Sequence, residues 1–318
     1  MKKLLALFFA VMMVLSMAAC SGPSADGKYV IGVCQIQKHP ALDAATQGFQ
    51  DALIQILGAD KVEFKVRDAA GDPTTCDTIM DTFVADNVNL ILANATPPLQ
   101  SARNKTATIP VLGTSVTDYV TALNIKDFNG TVGGNISGTT DLAPLNEQAQ
   151  MIIDLFPNAK KVGLLYCSAE PNSVYQITEV KKYLEAKNIT CTTFAFNDAN
   201  DLTSVTESAC SSSDVIYIPT DNTAATYAET IGNVVKAQKK PVVAGEAGIC
   251  KGCGVATLSI DYYDLGYITG QMAAKILKGE ANISTMPIQS APKFTKMYNK
   301  EIAQELKVTI PSDYQEIS

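Results

Sequence analysis

Residues 29–33, Tyr29-Val30-Ile31-Gly32-Val33, form a short run of β-formers, and behind it the period of the chain changes. Leu42, Ala45, Phe49, Leu53 and Ile56 recur at steps of three and four, which places them on one face of an amphipathic helix. A strand leading into such a helix is the first part of a βαβ unit. The unit repeats outward. Val62-Glu63-Phe64-Lys65-Val66 is the next strand, then come a helix carrying Ile79 and Phe83, the strand Leu90-Ile91-Leu92-Ala93, a helix from Pro97, and Pro110-Val111-Leu112.

The pattern then restarts. Lys161-Val162-Gly163-Leu164-Leu165-Tyr166 is a strand, and Val174, Ile177, Val180 and Leu184 mark the helix behind it. Residues 190–195, 215–218 and 242–244 continue as strands. Alternation of this length predicts parallel sheets, and two sets predict an α/β protein of two Rossmann-like lobes joined by a hinge. The first lobe is expected over 28–139 with 254–280 returning to it, and the second over 140–253 with 281–318. The Gly/Asn/Thr-rich stretch 129–141 reads as a turn or crossover, followed by a helix over 142–156. Periodicity alone does not decide which lobe takes the helix with Leu265, Ile268, Met272 and Ile276 on one face.

Composition removes much chemistry. The chain has 318 residues, 47% apolar, with a formal charge of −7, so neither disorder nor a basic nucleic-acid surface fits. Its only arginines are Arg67 and Arg103, too few for phosphate clamps. His39 is the sole histidine, so a multi-histidine zinc site is impossible. No G-x-S-x-G, H-E-x-x-H or P-loop motif occurs, and Cys34 with His39 lacks an orienting partner for a nucleophilic dyad. An enzyme, a metal centre and a cofactor are therefore not expected.

Residues 1–19 read as a secretory signal, with Lys2 and Lys3 before the uncharged run Leu4 to Met17. That run is too short to span a bilayer. It ends in Met17-Ala18-Ala19-Cys20, the pattern of a bacterial lipobox, so Cys20 is the expected lipidation site and 20–27 a linker. Seven cysteines remain, an odd number, which does not make a disulfide framework. Cys250-Lys251-Gly252-Cys253 has C-x-x-C spacing in what reads as a Gly-rich turn, and free thiols or a local disulfide are both open.

In open parallel sheets a ligand sits beyond the carboxyl ends of the strands. Those ends carry Gln35, Gln37 and His39, then Asn94 and Thr96, then Thr114, Ser115 and Asp118. In the second set they carry Ser168, Glu170, Asn172 and Ser173, then Thr220, Asp221 and Asn222, then Glu246. Thr96 before Pro97 reads as an N-cap, and Ser173 with Gln176 as a capping box. Asp118, Asp141, Glu170, Asp221 and Glu246 are opposed by little beyond Lys38. An acidic rim with free helix N-termini suits a ligand that carries both an ammonium and a small carboxylate. The absence of tryptophan argues weakly against a sugar.

The mature chain resembles the ABC-transporter substrate-binding lipoproteins of the tryptophan/tyrosine-binding type. The likeness rests on Ile31-Gly32-Val33 through His39-Pro40-Ala41-Leu42-Asp43, Ala69-Ala70-Gly71-Asp72, Ala95-Thr96-Pro97-Pro98-Leu99-Gln100 and Val116-Thr117-Asp118. It continues through residues 133–138, Glu170-Pro171-Asn172-Ser173, Pro219-Thr220-Asp221-Asn222 and residues 261–266. The resemblance implies a type I periplasmic-binding-protein fold with three hinge crossings, and closure on an amino acid, expected to be aromatic. It further implies permease and ATPase partners, a monomeric receptor tethered outside the cell membrane by lipid, and no nucleic acid. Tyr119 departs from the proline common in relatives. On this reading Thr96, Ser115 and Ser173 hold the carboxylate and Asp221 or Glu246 the ammonium. Asn172 bridges the lobes, His39 and Tyr119 line the side-chain pocket, and Asp118 and Thr220 complete the rim. The alternatives are another solute (nucleoside, sugar or peptide) in the same receptor, or a sensory ligand-presenting role.

Overall fold

The computed structural model describes residues 27–317, so the signal segment and Cys20 lie outside the described residues. The first lobe begins β1 (Tyr29–Gln35), α1 (Pro40–Leu57), β2 (Val62–Asp68), α2 (Pro73–Ala85) and β3 (Leu90–Asn94). It continues α3 (Thr96–Lys105), β4 (Val111–Val116), α4 (Tyr119–Leu123) and β5 (Ile136–Thr140). After α5 (Leu145–Leu155) the second lobe runs β6 (Lys161–Cys167), α6 (Pro171–Ala186), β7 (Thr190–Phe196), α7 (Ala199–Ser212) and β8 (Val215–Ile218). Then follow α8 (Asn222–Thr226), α9 (Ala228–Ala237), β9 (Val242–Ala244), α10 (Ala247–Cys253) and β10 (Ala256–Ser259). The chain returns for α11 (Tyr262–Leu277) and β11 (Gln289–Ser290) and ends with β12 (Thr295–Tyr298), α12 (Lys300–Glu305) and β13 (Gln315–Glu316).

The first sheet has the order β11-β5-β4-β3-β1-β2 and the second β13-β12-β10-β9-β8-β6-β7. All neighbours are parallel except β10 and β12. Helices cover both faces, so β3, β4 and β8 are buried at every residue, which is why β8 and the first four residues of β3 read as continuous apolar runs.

Three features differ from the sequence expectation. Ile136–Thr140 is a strand inside the first sheet, although its Ser, Gly and Thr residues read as a turn. Small residues are needed there, because a Cβ on Gly138 would stand 2.1 Å from the Gly113 carbonyl oxygen. The crossings also fall later than expected. β10 pairs with β9, so 254–259 belongs with the second sheet, and β11 pairs with β5, so 289–290 belongs with the first. The chain therefore crosses near 141–144, 260–261 and 291–294. Cys250 and Cys253 lie on the helix α10, not in a turn, and both are free, buried thiols.

α11 does return to the first lobe, where it packs along α1. Gly48 and Gly266 let the two backbones touch. A Cβ at Gly266 would stand 1.9 Å from the Ala45 carbonyl oxygen, and one at Gly48 2.1 Å from that of Tyr263. Overpacking of this kind costs about 1–3 kcal/mol. Gly266→Ala should accordingly lower the denaturation midpoint of the purified protein; an unchanged midpoint would show that the two helices separate freely.

Candidate functional site

The carboxyl ends of the two sheets face each other, and several bonds join their rims. His39 Nε2 lies 3.3 Å from Asn222 Oδ1, and Gln176 Nε2 donates to Thr117 Oγ1 at 3.4 Å. Thr226 Oγ1 donates to the Lys38 carbonyl at 3.5 Å. The hinge is tied as well: Tyr262, which opens α11 directly after the second crossing, donates to Asp141 Oδ2 in the first, at 2.9 Å. The lobes are closed.

Caps divide the candidates in an unexpected way. Asp118, Asp221 and Glu246 are the N-caps of α4, α8 and α10 and accept backbone N–H bonds there. Thr96 and Ser173, expected as caps, are not. The residue before α3 is Ala95 and the residue before α6 is Glu170, and neither gives a side-chain cap. His39 before α1 gives none either. The three long helices thus bring their positive ends to the cleft without a side-chain partner at the first turn, each with proline at the start.

On the first lobe the rim is strained. Ala95 has φ 96° and Ser115 φ 54°, in the left-handed region that non-glycine residues avoid at a cost of about 1–3 kcal/mol. The register between β4 and β5 shifts across Gly113 to Val116, and bulges of this kind re-aim side chains beside sites. Behind this rim, Thr46 Oγ1 donates to Gln35 Oε1 at 2.7 Å, and Asn94 Nδ2 to the Leu42 carbonyl at 2.9 Å. This network fixes the strand ends to α1.

On the second lobe Glu170 is the organiser, although the sequence reading left it out of the binding set. Its carboxylate accepts from the backbone N–H and Nδ2 of Asn222, the N–H and Oγ1 of Thr223, and Asn172 Nδ2, at 2.7–3.0 Å. Asp221 accepts from Cys167 N at 2.7 Å and Ala224 N at 2.8 Å, with the Ser173 hydroxyl also bound to it. Glu246 accepts from Gly248 N at 2.6 Å and from Ile249 N. Thr220 Oγ1 donates to the Gly245 carbonyl at 3.4 Å.

Two expectations fail. Tyr119 does not line a pocket: it is 3% exposed in the first-lobe core, its hydroxyl donates to the Thr139 carbonyl, and it fills the space left by Gly113 and Gly138. Asn172 does not bridge the lobes through hydrogen bonds; its Nδ2 partners, Glu170, Ser173 and the Thr220 carbonyl, are all in the second lobe. Asn222 makes the bridge instead. Its position in the sequence, directly after the capping Asp221, was the available signal.

Among the described residues, six buried side-chain polar atoms have no partner, and four lie at these strand ends: His39 Nδ1, Asn94 Oδ1, Ser115 Oγ and Asn172 Oδ1. Such groups are costly unless something hydrogen-bonds them. The acids are equally exceptional. Asp141, Glu170, Asp221 and Glu246 are all buried, and every ion pair among the described residues lies elsewhere, on the surface. Burial pushes Asp141 up to about 6, against the bonds from Tyr262 and Thr117. Burial and the neighbouring Glu170 raise Asp221, and burial raises Glu246, opposed by nearby His39.

The residues of this cleft now bear comparison with known proteins. Residues 30–316 match the family model described as ABC transporter substrate binding protein. The chain belongs to that family. A tyrosine-binding protein of Clostridioides difficile is 31% identical over 278 residues, 87% of this chain and 80% of the relative. Among solved structures, an ABC domain in complex with L-Trp from Streptococcus pneumoniae is 33% identical, with a TM-score of 0.87 over 92% of this chain and all of that one. A ligand-free, open substrate-binding protein with adhesive properties from Clostridium difficile is 31% identical and covers 91% of this chain and 99% of its own, but its TM-score is 0.70. At nearly equal identity the better fit to the L-Trp complex agrees with the cross-lobe bonds above. As a family member the chain is an extracytoplasmic solute-binding component of an ABC transporter, and no described helix is long and apolar enough to cross a membrane.

The raised carboxyl of Asp141 gives a signed prediction. With a folded pKa above its ordinary value of 3.8, the protonated form is favoured by folding. Its stabilisation is full below 3.8 and is lost as pH rises through about 6. Asp141→Asn keeps an acceptor for Tyr262 and should flatten the stability curve over that window in chemical denaturation. A curve of unchanged slope would mean that Asp141 ionises in the folded protein without penalty.

Proposed function

We propose that this protein captures an aromatic L-amino acid in the cleft between its lobes and presents it to an ABC importer from a lipid anchor at Cys20. The observation that carries the reading is the set of buried carboxylates without a cationic side-chain partner, together with the N-termini of α3 and α6, which carry no side-chain cap. An α-ammonium answers the first and an α-carboxylate the second. Each helix end contributes about 0.3–1 kcal/mol to an anion, and up to about 2 kcal/mol where partly buried. The L-Trp complex and the tyrosine-binding relative support an aromatic side chain.

The acids are not equivalent. An ionised carboxylate offers about four lone-pair sites. Glu170 receives five donors and Asp221 three, so both are close to full or beyond it. Glu246 receives two and is 2% exposed. Glu246 is therefore our choice for the ammonium. Thr96 and Ser115 remain the proposed carboxylate side, with Ser115 Oγ the free donor, while Ser173 holds Asp221 with its one hydroxyl proton, and Asp118 and Thr220 frame the site.

Capture works by closure. Only the closed form lets both rims touch the solute together, so the solute stabilises that form by its extra contacts. The family is one of receptors, and the buried acids serve here to bind charge without any chemical step. The protein is proposed to act as a monomer, with permease and ATPase subunits as its partners.

Because the chain has no tryptophan, L-tryptophan excited where tyrosine barely absorbs is the only emitter. A saturable blue shift is expected, competed by tyrosine and phenylalanine. Glu246→Gln should raise the Kd by about 10-fold or more, the worth of a charge-assisted hydrogen bond. Absence of a shift with folded protein would remove the aromatic solute, and an unchanged Kd in the variant would remove Glu246 from the ammonium. Separately, Cys20→Ser should move the protein from the membrane fraction to the soluble fraction; retention on the membrane would refute the lipid anchor.

A further inference from the structure

Asn222 opens α8 on the second lobe, and His39 stands before α1 on the first. Their contact, His39 Nε2 to Asn222 Oδ1 at 3.3 Å, has its proton position determined by a third residue. Glu170 Oε2 accepts the Asn222 backbone N–H at 2.9 Å and its Nδ2 at 2.7 Å, while Oε1 accepts from Thr223 N and Oγ1 at 2.8 Å. An accepting carboxylate can face only the amide NH₂. The Asn222 carbonyl oxygen must then face His39, and because it only accepts, Nε2 has to carry the proton. In a neutral imidazole the other nitrogen is a lone-pair acceptor. That atom, Nδ1, is buried and without a partner.

We propose that Asn222 is a positioning residue: held by Glu170, it grips His39 across the closed cleft and leaves Nδ1 as the acceptor for an N–H or O–H donor on the solute. The inference rests on the solute-receptor reading and adds an orientation to it. A solute carboxylate placed at this nitrogen would meet a lone pair, so the donor end of the solute turns toward α1. Glu246, which acts on His39 through its charge, accepts from Gly248 and Ile249 and makes no hydrogen bond to the ring, so Nδ1 stays free. The contact requires both lobes, so it forms with closure and is lost on opening.

The single histidine makes the test direct. Protein carrying nitrogen-15 in its histidine gives one imidazole spectrum, recorded near neutral pH without and with saturating L-tryptophan. Wild type should show the proton on Nε2 and an unprotonated Nδ1 whose resonance moves with the solute. Asn222→Ala should give a mixture of ring tautomers in both samples and weaken L-tryptophan binding by about fivefold, the worth of one neutral hydrogen bond. His39→Ala should weaken it further, and the double variant no more than His39→Ala alone, because the pair acts as a unit.

With solute bound, a wild-type ring protonated on Nδ1 alone, wild-type and Asn222→Ala spectra that are identical, or losses that add in the double variant would each overturn the proposal. Failure of the wild type to bind L-tryptophan would remove that solute alone; the same pair of spectra recorded with a solute that does bind, and so closes the lobes, would then decide the grip on His39.

Discussion

Bringing the carboxyl ends of two parallel sheets together buries acid, and the rest of this structure is arranged around that cost. Isolated carboxylates in a dry interior are expensive, and pairing or hydrogen bonding is required to hold them there. Here the compensation is not lysine or arginine. Asp221 and Glu246 are satisfied by the backbone N–H groups of the short helices they cap, and Glu170 by the first turn of α8 together with Asn172. No resident cation pairs with these acids, and burial raises Asp141, Asp221 and Glu246 above the ordinary carboxylate range. A receptor for a zwitterion needs that condition, since a resident cation would compete with the solute's ammonium.

The same geometry explains how the lobes communicate. The bond between Tyr262 and Asp141 ties two crossings, so movement of one lobe is felt at the base of the other. At the mouth the links are few and polar: His39 with Asn222, Gln176 with Thr117, and the Lys38 carbonyl with Thr226. Bonds of this sort contribute about 0.5–1.5 kcal/mol each, enough to favour closure when a solute is added and too little to enforce it alone. Four apolar cores stay within one lobe each, and a smaller fifth cluster of Ala41, Ala45, Ile260, Tyr262, Leu265 and Ala291 joins the helix pair α1–α11 to the crossings, next to His39.

Much of this was legible in the residues. Strand–helix alternation, with Ile31, Leu92 and Leu164 in the strands and Phe49 and Val180 in the helices, requires parallel sheets whatever the later details. The polar residues after each strand were identifiable as a rim because parallel topology puts every strand end on one side. Ile136–Thr140 was not legible as a strand, since Ser, Gly and Thr there answer to the close approach of Gly113 rather than to propensity. Tyr119 was misplaced for a related reason: an aromatic after a cleft residue can turn either way, and only the hollow at Gly113 and Gly138 shows that it turns inward.

The sequence by itself determined the two α/β lobes, the location of the cleft, and its charge, because periodicity and composition are local properties that survive any packing. Tertiary structure alone decided which residues cap and which stay open. Thr96 and Ser173 are good capping residues by type, yet the caps went to Asp118, Asp221 and Glu246, because backbone geometry at a helix start selects the residue in extended conformation. It also decided that Asn222, rather than Asn172, meets His39. That pairing joins residues far apart in the chain, and only the closure of one lobe on the other sets the distance between them.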